Sequence, residues 1–268
     1  MKVYEFGDQN KPGIMLFPGT CCYWKSNFGH VLENLQKHFY TMVVSYSGFD
    51  ETENTTFISE LDEVEKVEAY IKNKFGGKIF ATYGCSLGGS LVSLLVGRQN
   101  IHIDHAIIGS SDMDQAPEWL AKIETAVMIP LFYPFIIGKS DCFLRRKMDK
   151  RLQQGGESAE HTKKFLEIMG VGSGIDLSFI SKESMKNQFC TDLYTKVGEK
   201  IQVPGTTIHV FYAKKMGEKY LDRYLKYFAD PDIHEFDLQH EELLLDADRW
   251  TQEVCRVCEV DHGSVLPS

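Results

Sequence analysis

The chain has 268 residues, 43% of them hydrophobic and 25% charged, enough to bury a full core as one large α/β domain or as a core with one insertion. Its net charge of -9, with a pI near 5.5, leaves no basic field to offset phosphate repulsion and argues against a nucleic-acid partner. No apolar run approaches membrane-spanning length, Met1 to Phe6 does not read as an export signal, and seven cysteines in such a chain read as reduced, so a cytoplasmic protein is expected.

Lys2 to Phe6 alternates as a strand does, and Gly7 to Gly13 is a turn cluster. Ile14 to Phe17 is a continuous apolar run, the pattern of a strand covered on both faces, and it ends at Pro18-Gly19-Thr20-Cys21-Cys22. Phe28, Val31, Leu32, Leu35 and Phe39 keep helical spacing. Thr41 to Tyr46 is the next strand. Phe57, Ile58, Leu61, Val64, Val67, Ile71 and Phe75 form another helical stripe, closed by Gly76-Gly77. Lys78 to Thr82 is a short apolar strand leading into Tyr83-Gly84-Cys85-Ser86-Leu87-Gly88-Gly89. Leu91 to Val96 then has the composition of a buried helix, and Ile103 to Ile108 is again a strand. Strands alternating with helices predict a mostly parallel central sheet flanked by helices.

That rhythm breaks after Ser110. From Asp112 to Gly198 the pattern is helical: Pro117 to Met128 amphipathic, Asp141 to Gln154 strongly basic, a third helix near Glu157 to Met169, and a fourth over Ser181 to Lys196. Such a segment is too long for an ordinary connection. The organisation expected is a core of residues 1–111 and 199–268 with an inserted helical cap over 112–198. Strand patterns resume at Thr206 to Tyr212 and at Ile233 to Leu238, and Trp250, Val254 and Val257 mark a final helix. Cys255 and Cys258 fall in that helix, and packing explains them better than metal or redox chemistry.

The G-x-S-x-G run between a strand and a helix is the context of a nucleophile elbow, with Ser86 exposed on a tight turn. A serine hydroxyl needs a base within hydrogen-bond reach. Of nine histidines, His240 is the best placed, because a loop after the last strand faces the same sheet edge as the elbow. His234 begins that strand and belongs at the opposite end. An imidazole base needs a carboxylate to fix its tautomer. Glu218, in the loop after Tyr212, is the leading candidate; Asp112 after Ile108 is the alternative, and Asp114 a weaker variant. The oxyanion donors expected are the amides of Leu87 and Thr20, with Cys21 a further candidate.

These features resemble the α/β-hydrolase superfamily, specifically its capped serine hydrolases (esterases, lipases, thioesterases and related acyl hydrolases). The resemblance covers nearly the whole chain. It places the nucleophile on Ser86, the base on His240 and the oxyanion amides on Thr20 and Leu87. Many members carry His-Gly where this chain has Pro18-Gly19. Their acid usually stands about where Met216 does, two residues before Glu218, and members with the acid one strand earlier keep Asp112 open. The implied activity is hydrolysis of an ester or thioester of an apolar acyl or aromatic small molecule through an acyl-enzyme, with no metal or organic cofactor. An amidase or peptidase on the same residues, or a non-catalytic binding protein on the same fold, are the other readings. Trp119 and the apolar residues from Met128 to Ile137 would line the pocket or pack the cap. Phe132-Tyr133-Pro134-Phe135 could rest on a membrane, against which the acidic charge argues. A homodimer would use the cap or the final helix.

Overall fold

A computed structural model describes residues 1–139, 142–172 and 174–260, apart from the side chains of Glu157 and Ser158. Asp141, at the start of the expected basic helix, and the tail 261–268 of the expected core segment lie outside the described residues. The strands are β1 (Lys2–Phe6), β2 (Gly13–Phe17), β3 (Tyr40–Ser45), β4 (Lys78–Gly84), β5 (His102–Ile108), β6 (Thr207–Ala213) and β7 (Asp232–Phe236). The helices are α1 (Trp24–Phe28), α2 (Leu32–Leu35), α3 (Glu60–Phe75), α4 (Leu87–Arg98), α5 (Glu118–Ile136), α6 (Phe143–Gln153), α7 (Glu157–Ile168), α8 (Lys182–Tyr194), α9 (Glu218–Tyr227) and α10 (Ala247–Val257).

The strands form one sheet in the order β1-β3-β2-β4-β5-β6-β7. Only β1 runs antiparallel to its neighbour, Lys2 pairing with Ser45; every other pairing is parallel. β2 and β4 are central, and Ile14, Met15, Leu16 and Phe17 are fully buried, as an unalternating apolar run requires. Parallel pairing brings the carboxyl ends of β2, β4, β5, β6 and β7 to one edge, where the functional loops gather.

Local chemistry sets the helix ends. The Ser59 side chain accepts the Asp62 N–H at the start of α3, and Gly76 ends it at φ 65°. Acids fill its first turn and Lys72 and Lys74 its last, as the helix dipole favours. The stripe from Phe28 to Phe39 is not one helix but ends α1 and forms α2, with turns between them. Its apolar residues are buried all the same, so the spacing located the core-facing side and not the helix length.

α5 to α8 lie between β5 and β6, inside the segment read as the cap. α5 runs further than expected, through Pro130 and Pro134, and buries Ile129, Phe135 and Ile136. By length and composition it is apolar enough to cross a membrane, with a mean hydropathy of 1.3, which corrects the reading that no run approaches that length. Its two prolines and scattered charges hid the run. Trp119, Ile123, Val127 and Leu131, spaced one turn apart, leave an exposed apolar stripe on it. α9 was not foreseen: a 3₁₀ turn over Lys214–Met216 and a short helix replace the expected loop.

Candidate active site

β4 ends in Gly84, and α4 begins at Leu87. Ser86 between them has φ 50° and ψ -114°, a conformation that a non-glycine residue holds only under strain. The crossing is tight on both sides. A Cβ on Gly84 would meet the Gly88 carbonyl at 2.2 Å, and one on Gly88 would meet the Phe17 carbonyl oxygen at 2.2 Å. These glycines therefore let the helix start approach β2 and β4. Leu87, as the first residue of α4, has an N–H without a partner inside the helix.

The loop after β2 faces the elbow. Gly19 N–H donates to Asn27 Oδ1 at 3.1 Å, and Cys22 N–H donates to Gly19 O at 3.1 Å. Cys21 N–H donates to Gln188 Oε1 of α8 at 2.7 Å. That bond uses the amide and corrects the expectation that Cys21 could serve as an oxyanion donor. No acceptor engages the Thr20 amide among the described residues. The Thr20 hydroxyl donates to Asp192 Oδ2 at 3.4 Å, also on α8.

His240 follows β7 and lines, with Ser86, Gly19, Thr20 and Asn27, one cavity of about 390 Å³. Residues between β5 and β6 form its other walls: Phe132 and Phe135 of α5, Met148 and Arg151 of α6, His161, Phe165 and Leu166 of α7, and Met169. The His240 ring meets Phe165 edge-on, centroids 5.9 Å apart. No hydrogen bond joins Ser86 to His240 among the described residues; catalytic hydrogen bonds often form only once substrate is bound.

The three acids part company. Glu218 is exposed at the start of α9, and neither it nor Asp112 is among the cavity's walls. This corrects the choice of Glu218 as leading acid: the 3₁₀ turn takes up the loop, and the carboxylate sits at a helix N-terminus, where the dipole favours it. Asp114 is exposed and ion-paired with Arg223. Asp112 is largely sunk behind the β5 edge. Burial pushes its carboxyl up, the Asp114 charge adds to this, and His240 and Arg223 pull it back. Its carbonyl oxygen accepts from Arg223 Nη1 at 2.7 Å. His240 is thus near enough to Asp112 for their charges to interact.

Glu241 is a site residue that sequence reasoning missed. It is 2% exposed and holds φ 53°. Its Oε1 accepts the Ser86 N–H at 2.9 Å, and its Oε2 accepts the Tyr83 hydroxyl at 3.2 Å. Its one sequence signal is adjacency to His240. The cysteines around the elbow are buried: Cys22 is pushed up to about 12 by burial and by the Glu241 charge, and Cys21 and Cys85 rise well above the ordinary thiol range, burial being the first cause in each. Cys255 and Cys258 are likewise buried and raised. None is a ready thiolate nucleophile. His234 is the middle residue of β7 and not, as expected, its first, and it does not line this cavity.

No family model matches the chain, and no curated protein matches it in sequence. Solved structures do match in shape. An α/β hydrolase family protein from Desulfitobacterium hafniense superposes with a TM-score of 0.71 at 16% identity, over 96% of this chain and 99% of that one. An esterase from a marine microorganism superposes at 0.68 and 11% identity, over 95% and 98%. A 1H-3-hydroxy-4-oxoquinoline 2,4-dioxygenase superposes at 0.61 and 13% identity, over 95% and 95%. The chain has the α/β-hydrolase fold.

Proposed function

We propose that the protein is a serine hydrolase that cleaves an ester or thioester of a small apolar acyl or aromatic compound. The observation that supports this most is the strained Ser86, held at a helix start and sharing one cavity with His240 and the Thr20 loop. The esterase among the structural neighbours agrees with it. The dioxygenase on the same fold is the reason the reading rests on the site and not on the shape.

In this reading Ser86 Oγ attacks the substrate carbonyl while His240 takes its proton. The Thr20 and Leu87 amides receive the oxyanion, and Asp112 holds the ring and faces the imidazolium. His240 then protonates the leaving oxygen or sulfur. Water, deprotonated by His240, cleaves the acyl-enzyme and frees Ser86. Phe132, Phe135, Phe165 and Leu166 give the acyl or aromatic part an apolar wall. A cavity of about 390 Å³ is at the small end of ligand pockets, which favours short or single-ring groups.

Turnover of a p-nitrophenyl ester series tests this. Ser86→Ala should lower kcat by roughly 10⁴-fold or more, and Asp112→Asn by roughly 10²- to 10⁴-fold. Glu218→Gln should change it less than about twofold, as an exposed acid off the cavity would. Ser86 should take up a fluorophosphonate. A folded protein whose Ser86 stays unlabelled, or whose Ser86→Ala form keeps its rate, refutes the proposal.

A further inference from the structure

At the end of the sheet opposite the elbow, β6 and β7 carry a cluster that the chemistry above does not use. Side chains alternate along strands, so His209 of β6 and Asp232 and His234 of β7 share one face, with His105 of β5 beside them. The register pairs His209 with Asp232 and Phe211 with His234. His209 Nδ1 lies 3.1 Å from Asp232 Oδ2 and 3.3 Å from His234 Nε2. His234 Nε2 lies 3.0 Å from the same Asp232 oxygen. Three potential ligand atoms therefore form a nearly equilateral triangle.

A single hydrogen bond brings two such atoms together; a common cation accounts for all three edges at once. Bonds of about 2.0–2.1 Å at tetrahedral or octahedral angles put ligand atoms roughly 2.9–3.4 Å apart. The geometry points to a binding site for a divalent first-row transition cation, zinc by its donor set, held by His209 Nδ1, His234 Nε2 and Asp232 Oδ2. Two imidazoles and a carboxylate suit zinc, and the remaining coordination would be water. Access is from the Asp232 side, whose side chain is 53% exposed, against 4% for His209. His105 completes the arrangement. Its Nδ1 lies 3.2 Å from His209 Nε2, so His209 can donate there and turn the Nδ1 lone pair to the cation.

One group must move. Arg256 Nη2 donates to His234 Nδ1 at 3.1 Å, which leaves the ring proton on Nε2. Cation binding at Nε2 shifts that proton to Nδ1, and the arginine must turn away. It is exposed and already holds Glu253 Oε2 through Nε at 2.8 Å, so it has another partner.

The test is titration of chelator-treated full-length protein with Zn²⁺, read by equilibrium dialysis and thermal midpoint, and with Co²⁺, read by visible absorption. One ion per chain is expected, with a raised midpoint. Asp232→Asn should weaken affinity roughly tenfold or more, and His234→Gln likewise. Arg256→Gln should tighten it, because a glutamine carbonyl accepts from the Nδ1–H. Asp232 is exposed enough for Asp232→Asn to fold, so that variant decides if His234→Gln does not. A wild type that binds no more tightly than Asp232→Asn overturns the inference, as does weaker binding by Arg256→Gln.

Discussion

Glu241 accepts the Ser86 N–H through Oε1 and the Tyr83 hydroxyl through Oε2. Taking up the Ser86 amide fixes the peptide that precedes the strained serine, and in the proposed mechanism it leaves the amides of Leu87 and Thr20 for an oxyanion. Replacing the carboxylate by Ala strands a buried N–H, which costs about 1–3 kcal/mol. Glu241→Ala should therefore lower stability to urea by that amount and reduce kcat with little change in KM. Glu241→Gln keeps an acceptor and should recover most of both. If Glu241→Ala matches the wild type in stability and kcat, the carboxylate does not position the elbow. The same residue shows why this part of the site was hidden in the sequence. A glutamate after a histidine reads as a solvated helix start, and its inward turn depends on a φ of 53° that no residue pattern announces. Ser86 and Thr20 could be nominated because each follows a strand whose apolar run is plain, and His240 because it follows the last strand. The sequence ranks Glu218 above Asp112 by loop position alone, an order that depends on how the loops after β5 and β6 are spent.

Among the elements, α4 and β2 come too close for a side chain between them. Gly88 is the contact: a Cβ there would stand 2.2 Å from the Phe17 oxygen and 2.8 Å from its carbonyl carbon. Both sides are backbone, so neither can swing aside. Gly88→Ala should cost about 3 kcal/mol, the upper part of the range for overpacked sites, and should also lower kcat by displacing the helix start. Gly97 is the control within the same helix. Its nearest neighbour would be the flexible end of Ile201 at 3.3 Å, so Gly97→Ala should be neutral or stabilising by up to about 1 kcal/mol. Equal costs for the two in urea unfolding would show that general helix crowding, and not the β2 crossing, sets the need for glycine. The short helix α9 was readable in principle: Tyr220, Leu221, Tyr224 and Tyr227 keep helical spacing, and Tyr224 and Tyr227 are buried, but a loop was expected after β6.

At the scale of the whole molecule, acids from α3, α8 and the β5 end meet at one seam. Glu60 opens α3, Asp192 lies on α8, and Asp112 follows β5. Burial pushes Glu60 up to about 8, against a hydrogen bond from Thr195. Burial also drives Asp192 well above the carboxylate range, with the Glu60 and Asp112 charges adding to it. A carboxyl whose folded pKa is raised keeps its proton after the unfolded chain has lost its own. The folded state then binds more protons, and stability falls as pH rises toward the folded value. One such proton contributes a slope of about 1.4 kcal/mol per pH unit. Histidines lowered by burial act oppositely, with His209 at about 4, but only up to the ordinary histidine range near 6.5. The carboxyl effect should therefore emerge between about pH 6.5 and 8. Urea unfolding should show wild-type stability declining across that window. Glu60→Gln, which has no charge to gain, should flatten the decline and be the more stable protein at pH 8. Because the seam joins α8 to α3 and to the Thr20 loop, loosening at high pH should reach α8 first, seen as faster amide exchange there than in α4. A wild-type profile that is flat or rising from pH 6.5 to 8, and unchanged by Glu60→Gln, would mean that these acids are ionised in the folded protein after all.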